Sequence, residues 1–306
     1  MWEPDPSWEV LPGAAGPASA GVWRARSGGR SWVVKRLRPP SYDEPGGHLA
    51  LDPVHPGYWR READAALTGF GDGPGLVRAG DGPVEEDGEG VTLWSPEAVG
   101  EPPTGLHVAR ALGSFAAAAY DTPPWAAREQ LRRRLELVEA RGGWRTLART
   151  TLADVTSLLW ERRGHWLARL DEGPQGRVHG DAVPSNFLTT GRGGAVVAVD
   201  WQCLGVGPVG ADLGYWSLSS REEFGVLLEA FLAGVVAAAG REVDVEAVAR
   251  AARVHAAYSV LSRAEWALAQ AAKGEGALAG KFRHPAVAPY LRAIERQFPQ
   301  LEALLP

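Results

Sequence analysis

The chain has 306 residues and sets 32 Lys and Arg against 37 Asp and Glu. Its formal charge of −5 argues against a nucleic-acid-binding surface, which is usually basic. A single cysteine, Cys203, excludes an intramolecular disulfide and any cysteine-based zinc site. No stretch approaches the ~18 apolar residues that a membrane span needs, and the acidic, proline-broken start "MWEPDPSWEV" is unlike a signal peptide. The expectation is a soluble, cytoplasmic protein, long enough for one large domain of two lobes or for two domains.

The first hundred residues read as strands and turns. "GVWRAR" (residues 21–26) and "SWVVKRL" (31–37) are strand-like runs, and the intervening "SGGR" has the composition of a hairpin turn. After a loop rich in Pro and Gly, "YWRREADAAL" spaces its apolar residues for a helix over 58–67. Short strands are expected around "GLVRAG" (75–80) and "GVTLWS" (90–95). "PEAVGEPPTG" (96–105) is a linker by composition, which divides the chain into a lobe over 1–97 and a second over 98–306.

Beyond that linker the periodicity turns helical in "LHVARALGSFAAAAY" (106–120), "AAREQLRRRLELVEA" (126–140), "LADVTSLLWERRGHWLARL" (152–170) and nearly all of 221–306. The basic run "LRRRLELVEA" reads as a solvated helix face. A small β-rich lobe followed by a large helical one is an α+β arrangement.

The chemistry concentrates in "RVHGDAVPSNFL" (177–188) and "GAVVAVD" (194–200). Asp181 and Asn186 lie five positions apart, and Pro184 keeps the chain between them from forming a regular helix, so a loop can aim both at one point. Asp200 ends an apolar strand-like run. One amide and one or two carboxylates form an oxygen-rich set suited to Mg²⁺, which keeps phosphates and waters as its remaining ligands. The other Asp is then free to accept a proton from a hydroxyl nucleophile. Upstream, Lys35 ends a short β-branched strand, where it can hold nucleotide phosphates, and Glu62 on the next helix is its natural counter-charge. "LPGAAGPASAGVW" is a Gly-rich turn able to cover phosphates with backbone N–H groups. Its glycines, Gly13, Gly16 and Gly21, depart from the G-x-G-x-x-G spacing.

"VHGDAVPSNFL" followed by "VVAVDWQCLGVGPVGADLGYW" resembles the aminoglycoside phosphotransferase and choline kinase-like family, small-molecule relatives of the protein kinases. "YWRREADAAL" extends the likeness, as does "VTLWSPEAVG", which is similar to that family's inter-lobe hinge. The resemblance implies a protein kinase-like fold of two lobes and transfer of a γ-phosphoryl group from ATP or GTP, with Mg²⁺, to a small-molecule hydroxyl. It implies Asp181 as catalytic base, Asn186 and Asp200 as Mg²⁺ ligands, and Lys35, Glu62 and the Gly16 loop around the phosphates. Leu93 and Trp94 would belong to the nucleotide-binding hinge, while His179 and Asp212 would order the catalytic loop. Acceptors in that family include aminoglycosides and other antibiotics, choline, sugars and amino-acid analogues. A kinase-like protein directed at a peptide or protein partner in a biosynthetic pathway is the alternative.

Other residues have plainer expectations. Cys203 reads as a small buried apolar side chain, and His165, His255 and His284 as isolated packing or surface residues. Most of the 13 Trp are expected in packing, with Trp201 and Trp216 as candidate walls of an acceptor pocket. Glu161, Glu222 and Glu265 are candidate partners for an amino-bearing acceptor.

Overall fold

Two glycines decide the first hairpin. In the computed structural model, which describes residues 2–11, 18–42, 47–142, 153–240, 242–271 and 287–305, Gly28 and Gly29 have φ of 59° and 74°. Positive φ at both central residues is the requirement of a type I′ two-residue hairpin turn. The turn joins β2 (Ser19–Ser27) to β3 (Arg30–Leu37), with Ser27 opposite Arg30. With β1 (Glu9–Val10), β5 (Val84–Asp87) and β6 (Gly90–Pro96) they form one antiparallel sheet in the order β1-β2-β3-β6-β5.

The two-residue alternation of strands sorts the faces of this sheet. Val22, Lys35 and Leu93 are paired across the strands and line a cleft. Trp23 and Trp94 fall on the opposite face, where the rings of Trp2, Trp8 and Trp32 join them at centroid distances of 5.2–6.4 Å. Five of the tryptophans are therefore packing residues of one outer face.

Helix α1 (Gly47–Ala50) precedes α2 (Arg61–Thr68), which lies within the expected 58–67 helix to one residue at its C-terminal end. The "GLVRAG" strand, β4 (Leu76–Arg78), leaves the first sheet and pairs in parallel with β9 (Val196–Ala198). β9 also pairs antiparallel with β8 (Phe187–Thr190), so β4 ties the first part of the chain to the segment that carries the site. A two-stranded ribbon of β7 (Gln175–Val178) and β10 (Gly205–Pro208) flanks the same segment.

The rest is helical. α3 (Gly105–Ala117) begins at Thr104, whose side chain accepts from His107 N. It lies against α8 (Phe224–Ala238) so closely that a Cβ on Gly113 would stand 2.1 Å from Phe231 O, and one on Gly234 2.0 Å from Arg110 O. α4 (Gln130–Arg141) matches expectation, while the 152–170 helix breaks at Arg162 into α5 (Ala153–Glu161) and α6 (Arg163–Asp171). α7 (Ala211–Trp216) and α10 (Ala288–Glu302) pack on α9 (Val245–Ala271), a helix of 27 residues through the middle of this lobe. Among the described residues no helix is long and apolar enough to cross a membrane.

Candidate active site

The site is built where β7 stops. Beyond Val178 the chain turns through His179 and Gly180, whose φ of 82° favours glycine, and presents Asp181. Asp212 holds this turn from beneath. Its buried carboxylate accepts His179 N–H at 2.6 Å and Gly180 N–H at 2.9 Å. Burial raises the Asp212 pKa, against the pull of His179 and the two N–H donors. His179 is fully buried and spends both ring nitrogens on backbone: Nε2 pairs with Val199 O at 2.9 Å and Nδ1 accepts Asp181 N–H at 3.3 Å. That pattern makes Nε2 the protonated nitrogen and leaves no ring nitrogen for proton transfer.

A short 3₁₀ turn, Pro184–Asn186, brings Asn186 back beside Asp181. Asn186 Nδ2 donates to Asp181 O at 2.9 Å and Asp181 Oδ2 at 3.3 Å. The amide oxygen is left to Ser185 Oγ, which donates to it at 3.4 Å. Asp200 follows β9 in the left-handed region, at φ 61° and ψ 58°, a conformation Asp tolerates better than most residues. Its side chain is 41% exposed at the cleft.

Lys35 reaches the same place from β3. Its Nζ lies 2.5 Å from Glu62 Oε2 and 3.1 Å from Asp200 Oδ1, so one ammonium links α2 to the end of β9. The Glu62 contact is an ion pair, for Oε2 finds no aligned hydrogen-bond donor. Burial disfavours the Lys35 charge, but Glu62 and Asp200 outweigh it and hold its pKa above the ordinary lysine value. Burial likewise raises the Glu62 pKa, opposed by Lys35.

These groups line a cavity of about 560 Å³ that also includes Val22, Leu93, Trp94, Asp181, Asn186 and Trp201. The structure thus brings together Lys35, Glu62, Asp181, Asn186, Asp200 and Leu93. Trp94 borders the cavity with its indole committed to the outer aromatic face. Gly13 and Gly16 lie outside the described residues, as does His284.

Several expectations need correction. Trp201 and Trp216 are only 4% and 5% exposed: Trp201 packs near His179 and borders the cavity from the core, whereas Trp216 packs edge-on against Phe187 and does not line it. Glu265 is fully buried and paired with Arg141, while Glu222 bonds Ser220. Cys203 is partly exposed, with its thiol pushed up to about 11 by burial around the sulfur. The basic face of α4 divides: Arg132 and Arg133 pair with carboxylates at the surface, whereas Arg134 turns inward to Gly180 O at 2.6 Å.

Two further arginines escaped the sequence reading. Arg61, the neighbour of Glu62, is fully buried and donates to five backbone carbonyls, of Pro53, His55, Pro56, Trp125 and Gln202, at 2.7–3.1 Å. It clamps α2 to the turn that follows Asp200, and burial brings its pKa down to about 10. Arg263 on α9 meets Asp181 Oδ1 at 3.2 Å. A paired Arg in "YWRREADAAL" gives no sign that one member is interior.

The donor set fits a hard divalent cation. Asn186 Oδ1 and Asp200 Oδ2 are oxygens facing one cavity with neither engaged in a strong contact among the described residues. Mg²⁺ accepts one or two such protein ligands and takes phosphate and water for the rest. Among the described residues there is no cluster of three or more His, Cys, Asp or Glu side chains that would make a self-sufficient metal cage.

The sequence matches the model of the phosphotransferase enzyme family over residues 83–252, more than half of the chain. The protein belongs to this family. Among solved structures, this phosphotransferase is similar to a choline/ethanolamine kinase family protein from Mesorhizobium loti, at 17% identity and a TM-score of 0.56 over 97% of this chain and 92% of that one. Choline kinase LicA from Streptococcus pneumoniae gives 14% and 0.55 over 96% and 93%. Macrolide 2′-phosphotransferase from Brachybacterium faecium gives 19% and 0.50 over 95% and 91%. Such identities speak for the shared fold, which is protein kinase-like, with a small β-rich lobe and a large helical one. No curated protein sequence matches it.

Proposed function

We propose that this phosphotransferase is a Mg²⁺-dependent kinase that moves the γ-phosphoryl group of ATP or GTP to a hydroxyl of a small molecule. The observation that carries the reading is the convergence on one cavity of Lys35, Asp181, Asn186 and Asp200, drawn from β3, the loop after β7, the turn before β8 and the end of β9. Phosphoryl transfer demands charge neutralisation, positioning of the phosphates and a proton acceptor: Lys35 would serve the phosphates, Asn186 and Asp200 a charge-neutralising metal, and Asp181 the proton.

The nucleotide phosphates would lie against Lys35, which Glu62 and Asp200 hold in place. Asn186 and Asp200 would hold the metal ion, which when bound offsets charge on the phosphate oxygens. Asp181 accepts the proton of the acceptor hydroxyl as its oxygen bonds to the γ-phosphorus. The bond from phosphorus to the bridging oxygen breaks, and the nucleoside diphosphate leaves with its electron pair. Asn186 Nδ2, 3.3 Å from Asp181 Oδ2, fixes the rotamer of the base. Asp212 and His179 act at one remove by holding the backbone of the loop.

The names of similar structures, choline kinase and macrolide 2′-phosphotransferase, support the reaction class and span acceptors of different shape. An antibiotic of the aminoglycoside type is therefore one acceptor among several to be assayed. The test is a mass-spectrometric screen for acceptors that gain one phosphoryl group from MgATP or MgGTP. Asp181→Asn should bind nucleotide normally and transfer at least about a hundredfold more slowly. A folded Asp181→Asn variant with normal transfer would remove the base assignment, because an amide serves as a turn residue but not as a proton acceptor.

A further inference from the structure

Helix α9 reaches Asp181 with a cation. Arg263 Nη2 lies 3.2 Å from Asp181 Oδ1, with the two side chains 31% and 27% exposed. The Arg263 guanidinium stands 4.9 Å from the centroid of the Tyr215 ring, and that of Arg134 stands 4.6 Å from the same ring. Tyr215 is itself buried, so it fixes where both planes sit. Among the described residues Arg134 has no carboxylate partner; it donates to Gly180 O, one residue from the base. One guanidinium, that of Arg263, thus meets the Asp181 carboxylate, and a second, that of Arg134, shares its aromatic ring and binds the backbone one residue before the base.

That arrangement suits some acceptors and repels others. An oxygen of Asp181 is occupied by Arg263, although the hydroxyl proton needs it. A cationic acceptor would bring its ammonium groups against two fixed positive charges, an electrostatic mismatch of the kind that rejects wrong partners. Of the carboxylates considered for such an acceptor, Glu265 is buried and neutralised by Arg141. An anionic group has the opposite fate. A carboxylate or phosphate can take the guanidinium fork in a bidentate contact and displace Asp181 from it.

We infer that Arg263 is the residue that recognises the acceptor, and that the acceptor carries a carboxylate or phosphate a few bonds from the reacting hydroxyl. The inference rests on the phosphotransferase reading above. Binding exchanges one anion for another: the acceptor's anionic group takes Arg263, and the released Asp181 oxygen takes the hydroxyl. The 3.2 Å contact between Arg263 and Asp181 sets how near the two groups of the acceptor must be. Arg134 adds a second positive charge beside them and keeps the Gly180 backbone in place.

The test compares matched acceptors on common skeletons, using the full chain with Mg²⁺ and either nucleotide. Glycerol, glycerate, glycerol 3-phosphate and serinol form one set; glucose, gluconate, glucose 6-phosphate and glucosamine form another. In at least one set the anionic member should exceed its neutral and cationic counterparts in kcat/KM by about 30-fold or more. The carboxylate and phosphate arms show which anion is read. Arg263→Gln should collapse that preference chiefly through KM, and Arg263→Lys should recover part of it. A preference for cationic or neutral members overturns the inference, as does an Arg263→Gln variant that slows every acceptor equally through kcat, the mark of a merely structural role. Intact Mg²⁺–nucleotide binding with turnover of neither set also counts against it. Failure to bind Mg²⁺–nucleotide at all defeats the phosphotransferase reading itself.

Discussion

Replacing Lys35 by methionine removes one charge of nearly the same length and leaves two carboxylates behind. Lys35 and Glu62 are each 14% exposed, so their 2.5 Å contact is close to a buried ion pair, whereas Asp200 is 41% exposed and can be hydrated. Breaking a buried pair by deleting one partner costs about 3–5 kcal/mol, and the exposed arm to Asp200 adds little. Residual exposure of the pair lowers the expectation to about 2–4 kcal/mol at pH 8. The sign of the pH dependence follows from Glu62. Its folded-state pKa is already raised by burial, and without Lys35 it rises further. A carboxyl with a raised folded pKa is fully tolerated below its unfolded pKa and loses stability as pH climbs towards the folded value. Lys35→Met should therefore be less destabilised at pH 5 than at pH 8. Lys35→Met with Glu62→Gln should recover most of the loss, because no buried charge remains. Urea denaturation of the wild type, Lys35→Met and the double variant at both pH values measures all of this. A Lys35→Met variant within about 1 kcal/mol of wild type at both pH values would refute the reasoning.

Two other outcomes are expected. Arg61→Lys offers three donors where five carbonyls wait, so it should lose about 2–4 kcal/mol in urea denaturation; near-normal stability would mean the clamp is dispensable. His255 is buried beside the charge of Arg134, and burial brings its pKa down to about 3, so the unfolded chain takes the proton first. Its stability is whole above pH 6.5 and falls from there towards pH 3, at up to about 1.4 kcal/mol per pH unit. His255→Leu should flatten that decline, and parallel curves for the two proteins would contradict it.

Much of this molecule was legible before its structure. "SGGR" announced a turn that requires two positive φ angles, and the helix of "YWRREADAAL" put Glu62 where Lys35 needs it. The loop of "HGDAVPSN" does bring Asp181 and Asn186 side by side. What stayed hidden has physical causes. β5, "VEED", is mostly exposed and polar, so no alternation marks it. The β7–β10 ribbon is short and rich in glycine, and its pairing is fixed by partners thirty residues away. Arg61, Arg134 and Arg263 look like any surface arginine in a helical pattern, because their roles depend on backbone carbonyls and an aromatic ring supplied by distant segments. Trp201 and Trp216 flank the site in sequence, yet the turn after Asp200 carries one inward and α7 buries the other.

The central claim is that the cavity between β3 and the loops of the helical lobe holds a metal–nucleotide pair through Lys35, Asn186 and Asp200. Calorimetric titration with non-hydrolysable analogues of ATP and GTP, with and without Mg²⁺, tests it most directly when repeated on Asp200→Ala. One nucleotide per chain should bind in the presence of Mg²⁺, at least about tenfold more weakly without it, and Asp200→Ala should erase the difference. Binding of neither analogue, or binding indifferent to both Mg²⁺ and Asp200, would contradict the account.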